Sequence, residues 1–265
     1  MSRINNKNIL ITGATSGIGK ALTLQLARDY NHLFLVGRNA KMLNELKSYC
    51  DQKNIKVSVF ECDLSAANAI DELAKQIALN ASQIDIIINN AGISQRSRAD
   101  ETNEKVDRSI MELNFFAPVK LTKLLWPMLI KSKHANVVNI SSVVGTFGFP
   151  QRSAYAASKH ALEGFFESWM LENVAPNIHF TTVSPGRINT AISYNALKKD
   201  GSKHEITDDG QANGIEPDVC ARRIIDAIEK NKRKIYIVKQ ERVLLFVYRF
   251  FPSIFVLLVK KLKLS

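Results

Sequence analysis

Short apolar runs rich in Val, Ile and Leu recur along the chain, separated by longer stretches in which apolar residues return every three or four positions. The runs NILITG, HLFLVGR, KVSVFECD, DIIINNAG, NVVNISS, IHFTTVSPG and RKIYIV are nearly continuous in apolar residues rather than alternating. That is the signature of strands covered on both faces, as in a parallel sheet. Helical periodicity between them predicts helices near 17–29, 40–53, 66–80, 103–131, 154–173 and 217–230. Strand and helix therefore alternate, which predicts an α/β fold, a doubly wound parallel sheet of about seven strands with helices on both faces. In such sheets ligands bind beyond the carboxyl ends of the strands, so chemistry is sought just after each run.

The pattern changes twice. Residues 194–214 are polar and irregular, and predict a flexible flap near 190–214 over whatever the body binds. From 243 to 259 the chain is almost wholly apolar, yet Arg249 and Pro252 stand near its middle. A straight membrane-crossing helix needs about 20 apolar residues, and a central arginine and a proline both oppose it. The expected organisation is one catalytic body over 1–240 and an apolar, basic tail over 241–265.

Charge sharpens that division. From Lys230 onward ten Lys or Arg face the one acid Glu241, so this stretch carries nine of the chain's net +11 charges and the body is nearly neutral. Basic and apolar together point to a membrane surface, a cap over the substrate mouth or a protein interface. No motif that reads nucleic acid appears elsewhere, so no nucleic-acid partner is expected. Three scattered cysteines without metal-ligand spacing predict no metal and a reducing compartment. The N-terminus is too polar for a signal peptide, so the body is expected in the cytoplasm, or at the cytoplasmic face of a membrane if the tail docks there.

TGATSGIGKAL follows the first strand and opens a helix. Gly13, Gly17 and Gly19 allow a tight turn, and with Thr15, Ser16 and Ile18 they set free N–H groups of a helix N-terminus before a pyrophosphate, a Rossmann-like arrangement. A plain glycine-rich turn is the competing reading. The second strand ends in Gly37–Arg38, where many dinucleotide folds carry an acid for the ribose hydroxyls. A guanidinium there fits a 2′-phosphate and favours NADP(H) over NAD(H), unless Arg38 is simply a solvated strand end. After the third strand, Asp63 and Leu64 are candidates for the adenine side, and Asp63 equally for a helix cap.

SAYAASKHALEGFF, residues 153–166, sets Tyr155 and Lys159 one helical turn apart. A neighbouring ammonium would lower the phenol's pKa toward general-acid duty. Taken alone, the pair also fits an ordinary surface helix.

Together, TGxxxGxG at 12–19, NNAG at 89–92, Asn114, the serines at 141–142 before Gly145, YxxxK at 155–159 and SPG at 184–186 resemble the short-chain dehydrogenase/reductase family, from Lys7 to about Val238. The resemblance implies carbonyl–alcohol interconversion. Tyr155 would donate the proton, Ser142 would hold the carbonyl oxygen, Lys159 would lower the tyrosine pKa and bind the nicotinamide ribose, and Asn114 would position a water relaying protons to Lys159. It further implies that Asn90, Ala91 and Gly92 pack by the cofactor and that Pro185, Gly186 and Thr190 close over the nicotinamide. Family members often form homo-dimers or homo-tetramers through the helices at 103–131 and 154–173. Short segments and the tail are similar to the membrane-associated branch acting on steroid- and retinoid-like carbonyls, which implies a small lipophilic substrate. Reduction of a 3-oxoacyl thioester and a non-catalytic NADP(H)-binding sensor are the alternatives. The tail tilts away from the first, and an intact Ser, Tyr, Lys and Asn set tilts away from the second.

Overall fold

The computed structural model describes residues 4–261. Seven strands, β1 (Asn8–Thr12), β2 (His32–Gly37), β3 (Val57–Glu61), β4 (Ile86–Asn89), β5 (Ala135–Ile140), β6 (Ile178–Pro185) and β7 (Lys234–Ile237), form one sheet in the order β3-β2-β1-β4-β5-β6-β7. Every neighbouring pair is parallel. The order reverses between β1 and β4, which opens a crevice at their carboxyl ends.

Side chains alternate across each strand and feed two cores. Ile9, Ile11, Ile86 and Ile88 face one side with α1 (Gly17–Leu26), α2 (Ala40–Gln52) and α8 (Pro217–Glu229). Leu10, Ile87, Val137 and Phe180 face the other, under α3 (Ala69–Asn80), α5 (Ala117–Ile130) and α6 (Ser153–Glu172). Burial on both faces is why the strands read as continuous apolar runs.

The helical stretch expected at 103–131 differs from one regular helix. It consists of α4 (Glu104–Met111), a π turn at Glu112–Phe116, and then α5. The wider turn falls on Asn114, and such turns gather at functional sites. Apolar periodicity carries straight through the insertion, so the sequence gives no sign of it.

The segment 194–214 is irregular, as expected, but it is tied to the body. Leu197 bridges both Gln95 and Lys203, and a single turn, α7 (Asp209–Ala212), precedes α8. The apolar tail breaks at Phe251 into α9 (Glu241–Phe250) and α10 (Pro252–Lys261). Pro252 starts the second helix, where its missing N–H costs nothing. Phe255 and Val259 are buried in a third cluster with Val143, Val144, Phe147 and Tyr155, so the hairpin packs on the wall behind the tyrosine. No helix among the described residues is long and apolar enough to cross a membrane.

Candidate active site

A cleft of about 280 Å³ runs across the carboxyl ends of β1, β4, β5 and β6. One end is main chain. Gly13 and Gly17 line it at the turn into α1, and Gly19 lies so close behind that a Cβ there would overlap the Gly13 carbonyl oxygen. Asn90 fastens this turn, its Nδ2 donating to the carbonyls of Thr12 (2.9 Å) and Gly13 (3.3 Å). Thr12 Oγ1 in turn accepts from the N–H groups of Asn90 and Ala91, at 3.0 and 3.1 Å. The first turn of α1 holds no acid, and the Ser16 side chain makes no capping bond, so its N–H groups face the cleft without a competing carboxylate. A pyrophosphate fits such a cradle. At its rim stands Arg38, two-thirds exposed, whose only ion pair among the described residues is a 4.0 Å approach to Asp63.

The other end is built from buried side chains. Tyr155 and Lys159 project from adjacent turns of α6, only 6 % and 4 % exposed. The residue preceding α6, Arg152, provides no side-chain cap. The helix start is held instead by Gln95 from the loop after β4, fully buried, whose Oε1 accepts from the N–H groups of Ala154 (2.9 Å) and Tyr155 (3.3 Å). Its Nε2 donates to the hydroxyls of Ser97, Thr102 and Ser153, which fixes the amide's orientation.

Burial pushes the Tyr155 phenol above its ordinary range; the Arg152 guanidinium, a hydrogen bond from Ser142 and the Arg96 guanidinium oppose this. The arginines are gathered by Asp208, which pairs with Arg96 and lies 3.5 Å from Arg152. Crowding shows on Arg152 itself, pulled down to about 10 by burial and then by Arg96, with Tyr155 and Asp208 opposing. The Lys159 ammonium lies 5.9 Å from the Tyr155 ring centre and donates to the Ile140 carbonyl at 2.8 Å. Burial pushes Lys159 down to about 8, with the Glu163 carboxylate opposing. Glu163 accepts from Ser141 (2.6 Å), Ser184 (3.0 Å) and Lys234 (2.7 Å), tying the ends of β5 and β6 to α6 beneath the site.

The two ends meet in one cleft. Arg38, Asn90, Ala91, Gly92, Ser142, Tyr155 and Lys159 line it, as do Ser16, Ile18, Pro185, Gly186 and Thr190, whose methyl group packs against Gly17. Five expected residues do not reach it. Thr15 packs behind the turn against Gly37, Gly19 supports Gly13, and the Leu64 side chain is buried in the core because the chain turns inward there. Asp63 closes a local turn on Ser65, accepting from its N–H at 3.0 Å and its hydroxyl at 2.6 Å, while the residue that precedes α3 as its N-cap is Asn68. Asn114 is engaged as a brace rather than presenting a free amide. Its Oδ1 accepts from the Ile93 N–H and its Nδ2 donates to the Ile93 carbonyl, each at 2.9 Å, with Ser158 at 3.0 Å. Its oxygen and the Lys159 ammonium both lie against Gly92. Gln95, Arg96 and Asp208 were not foreseen, because each matters through a partner remote in sequence, and Arg152 and Glu163, though within one turn of Tyr155 and Lys159, carry no motif that marks them.

Residues 7–201 match the family model described as short chain dehydrogenase. Dehydrogenase/reductase SDR family member 7B of Bos taurus is 39% identical over 238 residues, covering 88% of this chain and 73% of that protein. Dehydrogenase/reductase SDR family protein 7-like of Drosophila melanogaster is 34% identical over 265 residues, 98% of this chain and 81% of that one. A short-chain dehydrogenase structure from Streptomyces avermitilis superposes with a TM-score of 0.81 at 27% identity, over 98% of this chain and 97% of that chain. Another from Shigella flexneri, complexed with NADP, gives 0.76 at 27% identity over 88% and 97%.

Proposed function

The chain belongs to the short-chain dehydrogenase family, a family of carbonyl–alcohol oxidoreductases, and from that premise we propose an NADP(H)-dependent enzyme that reduces a lipophilic ketone or aldehyde, or oxidises the corresponding alcohol. The observation that carries the reading is one cleft with the glycine turn and Arg38 at one end and Ser142, Tyr155 and Lys159 at the other. A bound nicotinamide dinucleotide supplies the hydride. The protein's part is to hold the carbonyl oxygen with the Ser142 hydroxyl and to deliver the Tyr155 proton to it as negative charge develops. Because burial keeps Tyr155 protonated through neutral pH, it is poised as an acid, and Arg152 and Arg96 favour the phenolate left behind. Lys159 contributes a positive charge below about pH 8.

Preference for NADP(H) is supported by Arg38 standing where a carboxylate would repel a 2′-phosphate. The NADP bound by the Shigella flexneri neighbour agrees with it. The lipophilic substrate and peripheral membrane contact are supported by the outer face of the tail hairpin. Phe246, Phe250, Ile254 and Leu257 are about half exposed or more. Arg242, Arg249, Lys260 and Lys261 flank them in sequence, and a surface both apolar and basic suits anionic headgroups.

The test is consumption of NADPH against NADH with a panel of lipophilic ketones, steroids and acyl thioesters, together with sedimentation on anionic liposomes. NADPH-linked turnover of a lipophilic carbonyl is expected. Turnover with NADH alone, or with acyl thioesters alone, would overturn the cofactor or the substrate assignment. Phe250→Glu with Leu257→Glu should release the protein from liposomes at low salt; failure of the unmodified chain to sediment would contradict the membrane reading.

A further inference from the structure

The tail's one acid sits at the active-site cleft. Among residues 230–265, Glu241 is the single carboxylate against ten Lys or Arg, yet it pairs with none of those side chains among the described contacts. Its Oε1 accepts from the Arg187 N–H at 3.0 Å and its Oε2 from the Lys239 N–H at 3.1 Å. The carboxylate lies directly on Gly186, where a Cβ would come within 2.7 Å of its carbon and push it aside. Gly186 and Pro185 line the catalytic end of the cleft, and the Pro185 carbonyl lies 3.5 Å from the Ser142 hydroxyl.

The same loop is fixed from two further directions. The Gly186 N–H donates to the Ile237 carbonyl at 2.9 Å, and the Arg187 carbonyl accepts from the Ile215 N–H at 2.9 Å. Lys239 Nζ donates to the Asn213 and Gly214 carbonyls, at 3.1 and 3.0 Å, so both residues flanking Gln240 brace this wall. Beyond Glu241, Leu244, Leu245 and Val247 pack into the cluster that contains Val143, Val144 and Tyr155. The start of the tail thus touches the cleft through one charged clasp and one apolar seam.

We propose that Glu241 is a positioning residue for the active site: its carboxylate fixes the Pro185–Arg187 backbone at the catalytic end of the cleft, making the C-terminal hairpin part of the binding site. A carboxylate accepting backbone N–H bonds is a strong, directional tie, and the loop it orders lines the cleft beside Ser142. This rests on the reading of the cleft as a dinucleotide site.

The full-length protein and its Glu241→Ala and Glu241→Gln variants separate the possibilities through dissociation constants for NADPH and for 2′,5′-ADP, which carries the 2′-phosphate end alone. Glu241→Ala should weaken NADPH about tenfold, the scale of losing a charge-assisted bond, while leaving 2′,5′-ADP unchanged. Glu241→Gln, which keeps one acceptor oxygen, should fall between. Unchanged 2′,5′-ADP binding also certifies that the variant is folded. Equal weakening of both ligands, or no weakening of NADPH, would overturn the assignment. A wild-type chain that bound neither ligand would overturn the dinucleotide reading and this one with it.

Discussion

The two ends of the cleft are built by different means. At the phosphate end the groups offered to a ligand are, apart from Arg38 at the rim, main-chain N–H donors of one contiguous turn, which side chains such as Asn90 hold in shape. At the catalytic end the candidate groups are buried side chains, Tyr155 set by Gln95 and by the arginines that Asp208 gathers from remote parts of the chain, and Lys159 by Glu163 one turn along the same helix. A main-chain site tolerates many substitutions and fails sharply at glycines. A side-chain site is tuned by every charge around it. Lesions at the two ends should therefore separate binding from chemistry.

Gly19→Val carries the largest expected effect on binding. Its side chain overlaps the Gly13 carbonyl and forces the turn open, so NADPH affinity should fall by about tenfold to a hundredfold or more, as overpacking of 1–3 kcal/mol implies. Calorimetric titration measures it, and an affinity within twofold of the parent would show that the turn is not the cradle. Arg38→Asp acts at the same end but selectively. It removes one charge-assisted contact and adds repulsion, so NADPH should weaken by about tenfold or more while NADH changes little. Equal losses for both cofactors would mean that Arg38 does not meet the 2′-phosphate.

Lesions at the catalytic end should spare affinity. Gln95→Ala leaves the first N–H groups of α6 without their acceptor, a loss comparable to an N-cap of about 1–2 kcal/mol. Thermal unfolding should shift down, and turnover should fall while 2′,5′-ADP binding stays. The smallest effect is on pH dependence. Lys159 loses its proton near pH 8, so reduction should decline above that pH. Glu163 raises the Lys159 pKa, and Glu163→Gln should therefore move this limb to lower pH. A limb that stayed in place would remove Lys159 from the titration.

The same contrast explains what could be read in the sequence. The sheet was legible because burial on both faces leaves continuous apolar runs, and the glycine turn because a main-chain site needs its residues adjacent. YxxxK was legible because one helix carries both groups. The remote partners that tune them were not, since Arg96 meets Asp208 across 112 positions and no local spacing records such a pair. The π turn at Asn114 was hidden because an insertion there leaves apolar periodicity intact on either side. In the tail, Arg249 and Pro252 announced a broken helix, but which face would be covered depended on Phe147 and Tyr155, far away in sequence.

The central claim is that Tyr155 is the proton donor of a dinucleotide-dependent carbonyl reduction. Tyr155→Phe removes only the hydroxyl from a buried ring, so the most direct measurement pairs the NADPH dissociation constant with the turnover number of this variant. The account predicts unchanged binding within about twofold and turnover reduced by at least the roughly 10²–10⁴-fold that general acid catalysis supplies. Turnover close to that of the parent protein would contradict it.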